Sequence, residues 1–300
     1  MSWRIFFLVL HIILAVSVSS AQSKRSDREV AGLVGAVRTV ESRSVDYTGD
    51  KVVGEGFMKT EGDRVTYDEA GREIERRQVS DFGEAMGTIT RSFDKSGLLT
   101  EDRWLDPKGK LLRRNVYHYA NDRLTETLTY DEAGRLIEKT LNKYDLRGRL
   151  KEEVYFDPIT IRARTVFKYD AKDNLIETAF FLANGKRAIA PVGPCVGAHR
   201  VTSRYHESGR IIGQSVFEDS GTEKRSYKWI YNDEGRVVSY ISESSGSTVT
   251  FVYKYEFDAT GNWITRIATG MSLEKGLTVF GDQPTPYFRT TVETRKIRYF

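Results

Sequence analysis

Residues able to do chemistry are few. Cys195 is the single cysteine, and it precedes His199 by four positions in a stretch broken by Pro191, Gly193, Pro194 and Gly197. A thiol beside an imidazole can act as a nucleophile, but a working pair needs a third group to orient the base, and none accompanies these two. His118 sits between Tyr117 and Tyr119 in a strand-like run, where a packed or solvated side chain is expected. His206 stands where neighbouring repeats carry a turn aspartate. No Cys/His cluster has zinc spacing, and neither a phosphate-cradling loop nor a Gly-x-Ser-x-Gly elbow occurs. Aspartates recur in turns, one or two at a time, without the carboxylate density of a calcium loop. Glu152 and Glu153 are adjacent, so on a strand they point to opposite faces. No catalytic, metal or cofactor-binding residue is therefore assigned, and an enzyme is not expected. The candidate ligand contacts are Trp104, Trp229 and Trp263, whose rings could stack on sugars, together with Cys195 and His199 in the irregular stretch.

These residues belong to a chain of 300 residues in which hydrophobic types make up only 39% while aromatics reach 12%, so rings must carry much of the burial. The net charge of +4 comes from interspersed Lys, Arg, Asp and Glu without a clustered basic run, which argues against nucleic acid as a partner. At the N-terminus Arg4 precedes an apolar run from Ile5 to Val18, followed by the small residues Ser19-Ser20-Ala21. That is the layout of a secretory signal peptide, and the run is shorter than the roughly 20 residues a membrane helix needs. The mature chain is expected in the periplasm, the cell envelope or outside the cell, with no membrane span. With one cysteine it has no intramolecular disulfide, so sheet packing must hold it together.

The remainder is a repeat. Tyr130-Asp131-Glu132-Ala133-Gly134-Arg135-Leu136 is its clearest copy: a strand end, a type I turn opened by aspartate, a glycine suited to positive φ, and a new strand. The structural turn residues assigned on this basis are Asp68, Gly71, Asp94, Gly97, Asp131, Gly134, Asp145, Gly148, Gly209, Gly235, Asp258 and Gly261. Anchors about 11 to 14 residues apart leave room for one strand and a tight loop, and none for a crossover helix. The rings of Tyr253, Tyr255 and Phe257 alternate on one face, as do Tyr117 with Tyr119, Phe167 with Tyr169, and Trp229 with Tyr231. The fold class is all-β: a long antiparallel meander of hairpin repeats, curled into a spiral, a barrel-like form or an open single-layer sheet.

The expected organisation is a signal peptide over 1–21, a linker with a short helical turn over 22–35, a first sheet part over 36–186, an interrupting loop over 187–200, and a second sheet part over 201–300.

At Tyr-Asp-x-x-Gly-Arg-Leu the chain resembles the YD-repeat family, which includes bacterial Rhs proteins and the teneurins. Tyr130 to Leu136 and Tyr144 to Leu150 match best, and a looser pattern extends from Tyr67 to Trp263. Phe257 to Trp263 is also similar to repeats of small exported bacterial proteins of unknown role. The resemblance implies hairpins that spiral into a hollow shell, which in large members encloses a C-terminal toxin or other cargo. The expected function is a non-catalytic exported scaffold for protein or cell-envelope interactions. The alternatives are a carbohydrate-binding module using its aromatic face, and a small Rhs-like shell or carrier.

Overall fold

A computed structural model describes residues 25–48, 51–52, 63–79, 85–157, 159–190, 198–274 and 287–300. The leader expected over 1–21 and Cys195 lie outside the described residues. One helical turn, α1 (Asp27–Val30), opens the fold; Ser26 and Glu29 cap it reciprocally, and Gly32 ends it at φ +70°. The strands follow as β1 (Val37–Thr48), the two-residue β2 (Lys51–Val52), β3 (Asp63–Tyr67), β4 (Glu73–Val79), β5 (Ala85–Phe93) and β6 (Leu99–Leu105). Next come β7 (Leu111–Ala120), β8 (Arg123–Asp131), β9 (Leu136–Tyr144), β10 (Leu150–Asp157), β11 (Thr160–Tyr169) and β12 (Leu175–Leu182). β13 (Arg200–Tyr205), β14 (Ile211–Phe217), β15 (Glu223–Tyr231), β16 (Val237–Ser244), β17 (Ser247–Phe257), β18 (Trp263–Glu274) and β19 (Tyr287–Tyr299) complete the set.

Apart from β2, which pairs with β1 alone, each strand from β3 onwards pairs antiparallel with its sequence neighbours, and β1 pairs with both β3 and β19. β2 only extends the edge beside β1, so eighteen strands close into a barrel. Of the three curled forms the sequence permits, the closed one is found. The sheet runs unbroken past the irregular stretch: β12 pairs with β13, and Ala188 and Ala190 donate to the carbonyls of Phe180 and Ala198.

Local chemistry explains why each hairpin forms. In the turn after β8, Gly134 N–H donates to the Asp131 carbonyl at 3.0 Å, and Asp131 N–H donates to the Arg135 carbonyl at 3.0 Å. The Asp131 Oδ1 accepts from the N–H groups of Ala133 and Arg135, and Arg135 Nε donates to Oδ2. The Arg135 N–H contact leads the influences that hold this carboxyl below its usual range. Gly71, Gly97, Gly134, Gly148, Gly209, Gly235 and Gly261 all have φ between +77° and +93°. Two loops differ. Asn121 and Asp122 form a two-residue turn at φ +51° and +59°, and Asp173 takes the glycine position of its loop at φ +66°.

Alternation along the strands separates two faces. Buried residues such as Tyr67, Ile89, Phe167, Tyr227, Trp229, Tyr240 and Tyr253 fall on one face, which in a closed ring is the inner one. Lys228, Lys254 and Val252 are exposed on the other. Register shifts at the hairpins then set where the anchors point. At the rim that carries Tyr67 the anchors Phe93, Tyr119, Tyr144, Tyr169, Tyr205, Tyr231 and Phe257 face inward. At the opposite rim Leu105, Tyr130, Phe156, Phe181 and Phe217 face outward. Tyr130, the anchor of the clearest copy, is thus a half-buried outer ring beneath Arg114. One structural repeat is a hairpin of two strands, 25 or 26 residues where uninterrupted.

Successive hairpins are clasped at the first rim. Tyr144, Tyr169, Tyr205, Tyr231 and Tyr255 donate their hydroxyls to the carbonyls of Leu124, Leu150, Leu175, Ile211 and Val237, at 2.7–2.9 Å. Each acceptor is the first or second residue of the outgoing strand of the preceding hairpin. Arginines add a second tie, with Arg72 over Phe93, Arg149 over Tyr169 and Arg236 over Phe257 at 4.0–4.9 Å from the ring centroids.

The seam needs other parts. The Val34 N–H donates to Asn262 Oδ1 at 2.7 Å, while Asn262 Nδ2 donates to the Val34 carbonyl and the Tyr299 hydroxyl oxygen, each at 2.8 Å. Arg28 N–H donates to the Gly71 carbonyl and Glu73 N–H to Asp27 Oδ2, so residues 26–34 bridge the first and last loops of this rim. Leu33, Val37, Val40 and Tyr67 pack beneath them.

Two predictions follow from these contacts. A Cβ at Gly134 would meet open space, whereas at Gly148 it would collide with the Arg123 guanidinium. In urea denaturation Gly134→Ala and Gly148→Ala are each expected to cost about 1 kcal/mol from positive-φ strain, since at Gly148 the flexible end of Arg123 can swing aside. Asn262→Ala removes a buried side chain whose hydrogen bonds go to the exposed Val34 and Tyr299, and is expected to lower stability by about 0.5–1.5 kcal/mol in the same assay.

Candidate functional site

The inner face has two kinds of wall. Across β13–β18 it is apolar: Tyr227, Trp229, Tyr240 and Tyr253 are buried, with ring centroids 5.6 Å apart for Trp229–Tyr240 and 5.9 Å for Tyr227–Tyr240. Such rings contribute roughly 1.5–3 kcal/mol each through burial. Across β4–β9 the same face is polar and hydrogen-bonded side to side. Asn115 Nδ2 donates to Asp102 Oδ1 at 2.9 Å, Tyr117 Oη to Asp102 Oδ2 at 2.6 Å, and Thr129 Oγ1 to Asn115 Oδ1 at 2.8 Å. Arg113 reaches Glu138 at 2.7 Å. Glu73 is held between Arg76, at 2.5 Å, and Arg91, at 2.9 Å.

Trp104 lies on this polar wall, directly opposite Arg113 on β7 and Ile89 on β5. It is 41% exposed, whereas Trp229 is 5% exposed. An open indole beside a carboxylate, an amide and a guanidinium can stack on one face of a ligand and bond its edges.

The other candidates lie elsewhere. Trp229 belongs to the packed core, and Trp263 lies under the Arg295 guanidinium, 3.4 Å from its ring centroid, and edge-on to Tyr255. His199 is tied into the sheet by its backbone, receiving Phe180 N–H and donating to the Phe217 carbonyl. His206 uses Nδ1 to accept the Ser208 N–H, which suits a turn. Glu152 pairs outward with Lys143 and Arg164, while Glu153 points inward, where burial raises its pKa although Tyr155 donates to it at 2.6 Å. The turn carboxylates are engaged by their own loops, and among the described residues no group of three or more His, Cys, Asp or Glu could hold a metal ion. The polar wall residues Asp102, Arg113, Asn115 and Glu138 went unnoticed in the sequence. The signal was there: period-two polar residues on strands whose counterparts carry rings.

The fold and this site define a class: a closed antiparallel barrel of hairpin repeats, without a catalytic motif among the described residues, carrying aromatic clusters on its inner face. Comparison with known proteins gives no match to a family model and none to a curated protein. Among solved structures the chain is similar to a porin-like protein from Bacteroides uniformis, at 14% identity and a TM-score of 0.40, covering 87% of this chain and 96% of that one. It is also similar to TcdB2-TccC3 without its hypervariable C-terminal region, at 9% identity and a TM-score of 0.29, covering 84% of this chain and 19% of that one. The Photorhabdus luminescens Tc holotoxin pore gives 12% identity and a TM-score of 0.26 over 74% of this chain and 15% of that one. The chain thus spans about a fifth or less of the two toxin chains.

Inner-face tyrosines should report the integrity of the wall. Burial is the leading cause that pushes Tyr67, Tyr119, Tyr169 and Tyr253 up to about 12, from the ordinary 10.0. Their folded forms hold the proton more tightly than the unfolded chain, so their contribution is complete below pH 10 and is lost as pH rises towards 12. The urea midpoint is expected to fall across that window, with tyrosinate absorbance rising together with unfolding.

Proposed function

We propose that the protein is a non-catalytic exported barrel that binds a glycan on its inner face. The observation that carries this reading is Trp104, an exposed inner indole opposite Arg113 and two residues along β6 from Asp102, on the same face. Sugars present apolar ring faces and hydroxyl edges, which match an indole flanked by Asp102, Asn115, Arg113 and Glu138. Closed barrels of this strand number can enclose an aqueous channel, which leaves room for such a ligand. The outer face supports a barrel surrounded by water: Lys228, Lys254 and the Lys143–Glu152–Arg164 cluster would each be costly against lipid, by about 2–4 kcal/mol for a cation at mid-membrane. No helix among the described residues is long and apolar enough to cross a membrane. Export rests on the leader-like residues 1–21.

A second reading, a scaffold for a protein or envelope partner, draws on the exposed outer residues Ile137, Ile230 and Val252.

A glycan array followed by calorimetry with any glycan that binds tests the first reading. Trp104→Ala is expected to weaken binding by tenfold or more with little loss of stability, while Trp263→Phe leaves binding unchanged. Absence of glycan binding, or binding indifferent to Trp104, would overturn it.

A further inference from the structure

Outer-face charges are matched across the strands almost everywhere they are dense. Glu152 is shared by Lys143 and Arg164, and Glu177 by Lys168 and Arg200. The region around β14 breaks this rule. Arg204 on β13 lies opposite Gly213 on β14, and Gly213 lies opposite Lys228 on β15. Two strand spacings put the Arg204 and Lys228 backbones roughly 10 Å apart, with no side chain between them.

Glycine makes the arrangement possible. A Cβ on Gly213 would lie 2.7 Å from Arg204 Nη2 and 3.0 Å from Nε, so the guanidinium lies across the Gly213 backbone towards Lys228. Arg204, Lys228, Arg210 and His206 line one groove of about 560 Å3, floored in part by Ile212 and Ile230, in which Asp233 is the one acidic lining residue. Arg210 is stacked on Tyr231 at 5.9 Å. Among the described residues neither Arg204 nor Lys228 has an ion-pair or hydrogen-bond partner, whereas Arg164 and Arg200 on the same face each pair with a glutamate.

We propose that this outer groove is an oxyanion site, in which Arg204 and Lys228 clamp a phosphate or sulfate group from either side of Gly213. A guanidinium offers paired N–H donors that fit two oxygens of a tetrahedral anion, and an ammonium adds a point charge. Ile212 and Ile230 accommodate an apolar portion attached to that group. The site lies on the opposite side of the sheet from Trp104 and is independent of the glycan reading.

Titration of the full chain with inorganic phosphate, inorganic sulfate and pyrophosphate, followed by NMR shifts and calorimetry, tests the assignment. One saturable site is expected, with shifts centred on Gly213. Arg204→Gln with Lys228→Gln should weaken binding at least tenfold. Gly213→Ala, which displaces the Arg204 guanidinium, should weaken it with the charges intact. Lys254→Gln, which removes an exposed outer lysine one hairpin away, serves as the control and should leave binding unchanged. Phosphatidylcholine vesicles with and without phosphatidylglycerol distinguish the source: co-sedimentation dependent on Arg204 and Lys228 marks a lipid headgroup, and binding of the free anions without co-sedimentation marks a soluble ligand. No saturable binding of any probe, or equal weakening by Lys254→Gln, would overturn the proposal.

Discussion

Pairing of the first long strand with the last is the constraint on which everything else depends. An open meander of this length would expose two strand edges, each a row of unpaired N–H and C=O groups ready to recruit another chain. Joining β1 to β19 removes both. It also defines an inside, which the strands alone do not: only on a closed ring does period-two alternation become a difference between an enclosed wall and a solvated one. The Asn262 clamp on Val34 and the Tyr299 hydroxyl is small beside the ladder of backbone bonds it accompanies. Its importance is positional, since it ties the loop at the end of the meander to the segment that precedes its beginning.

The two rims are built differently. The first is made of short loops, with tyrosine hydroxyls and arginine planes linking most hairpins to the one before. Each hydroxyl contact contributes only about 0.5–1.5 kcal/mol net, and each cation–ring contact about 0.5–1 kcal/mol when exposed. Repetition around the rim turns modest contacts into a continuous hoop. The second rim carries the long connection between β12 and β13, which returns Ala188 and Ala190 to the sheet. A barrel with one laced rim and one elaborated rim separates stability from variation, since substitutions in long connections leave the hoop intact.

Much of this was legible in the sequence, for reasons that are local. Asp131 and Gly134 announce a turn because a carboxylate that accepts backbone N–H groups and a residue free to take positive φ are needed within one loop. Tyr253, Tyr255 and Phe257 announce one face because side chains alternate. The sequence permitted a closed form but did not single it out, because closure depends on pairing residues about 250 positions apart, such as Val40 with Ile297, and neither strand is marked by a repeat turn. The opposite orientation of the two anchor sets was hidden too. Tyr130 and Tyr144 look alike in sequence, and only the register shifts at the hairpins send one outward and the other inward. Ring type alone does not tell a packed core from an open wall, which is why Trp229 and Trp104 stood together as candidates although one is buried and the other exposed.

The hairpin interval makes girth a countable property. From Tyr144 to Tyr255 successive units are tied by the same hydroxyl–carbonyl geometry, so duplicating or deleting one of these units would change the perimeter by two strands, roughly 10 Å along the hydrogen-bonding direction, while the junctions on either side keep their form. The seam, built from different residues, marks where counting starts and stops. Recombination between similar hairpins could therefore tune the bore of such a tube in fixed increments, and the polar or aromatic character of its lining would change with whichever units were copied.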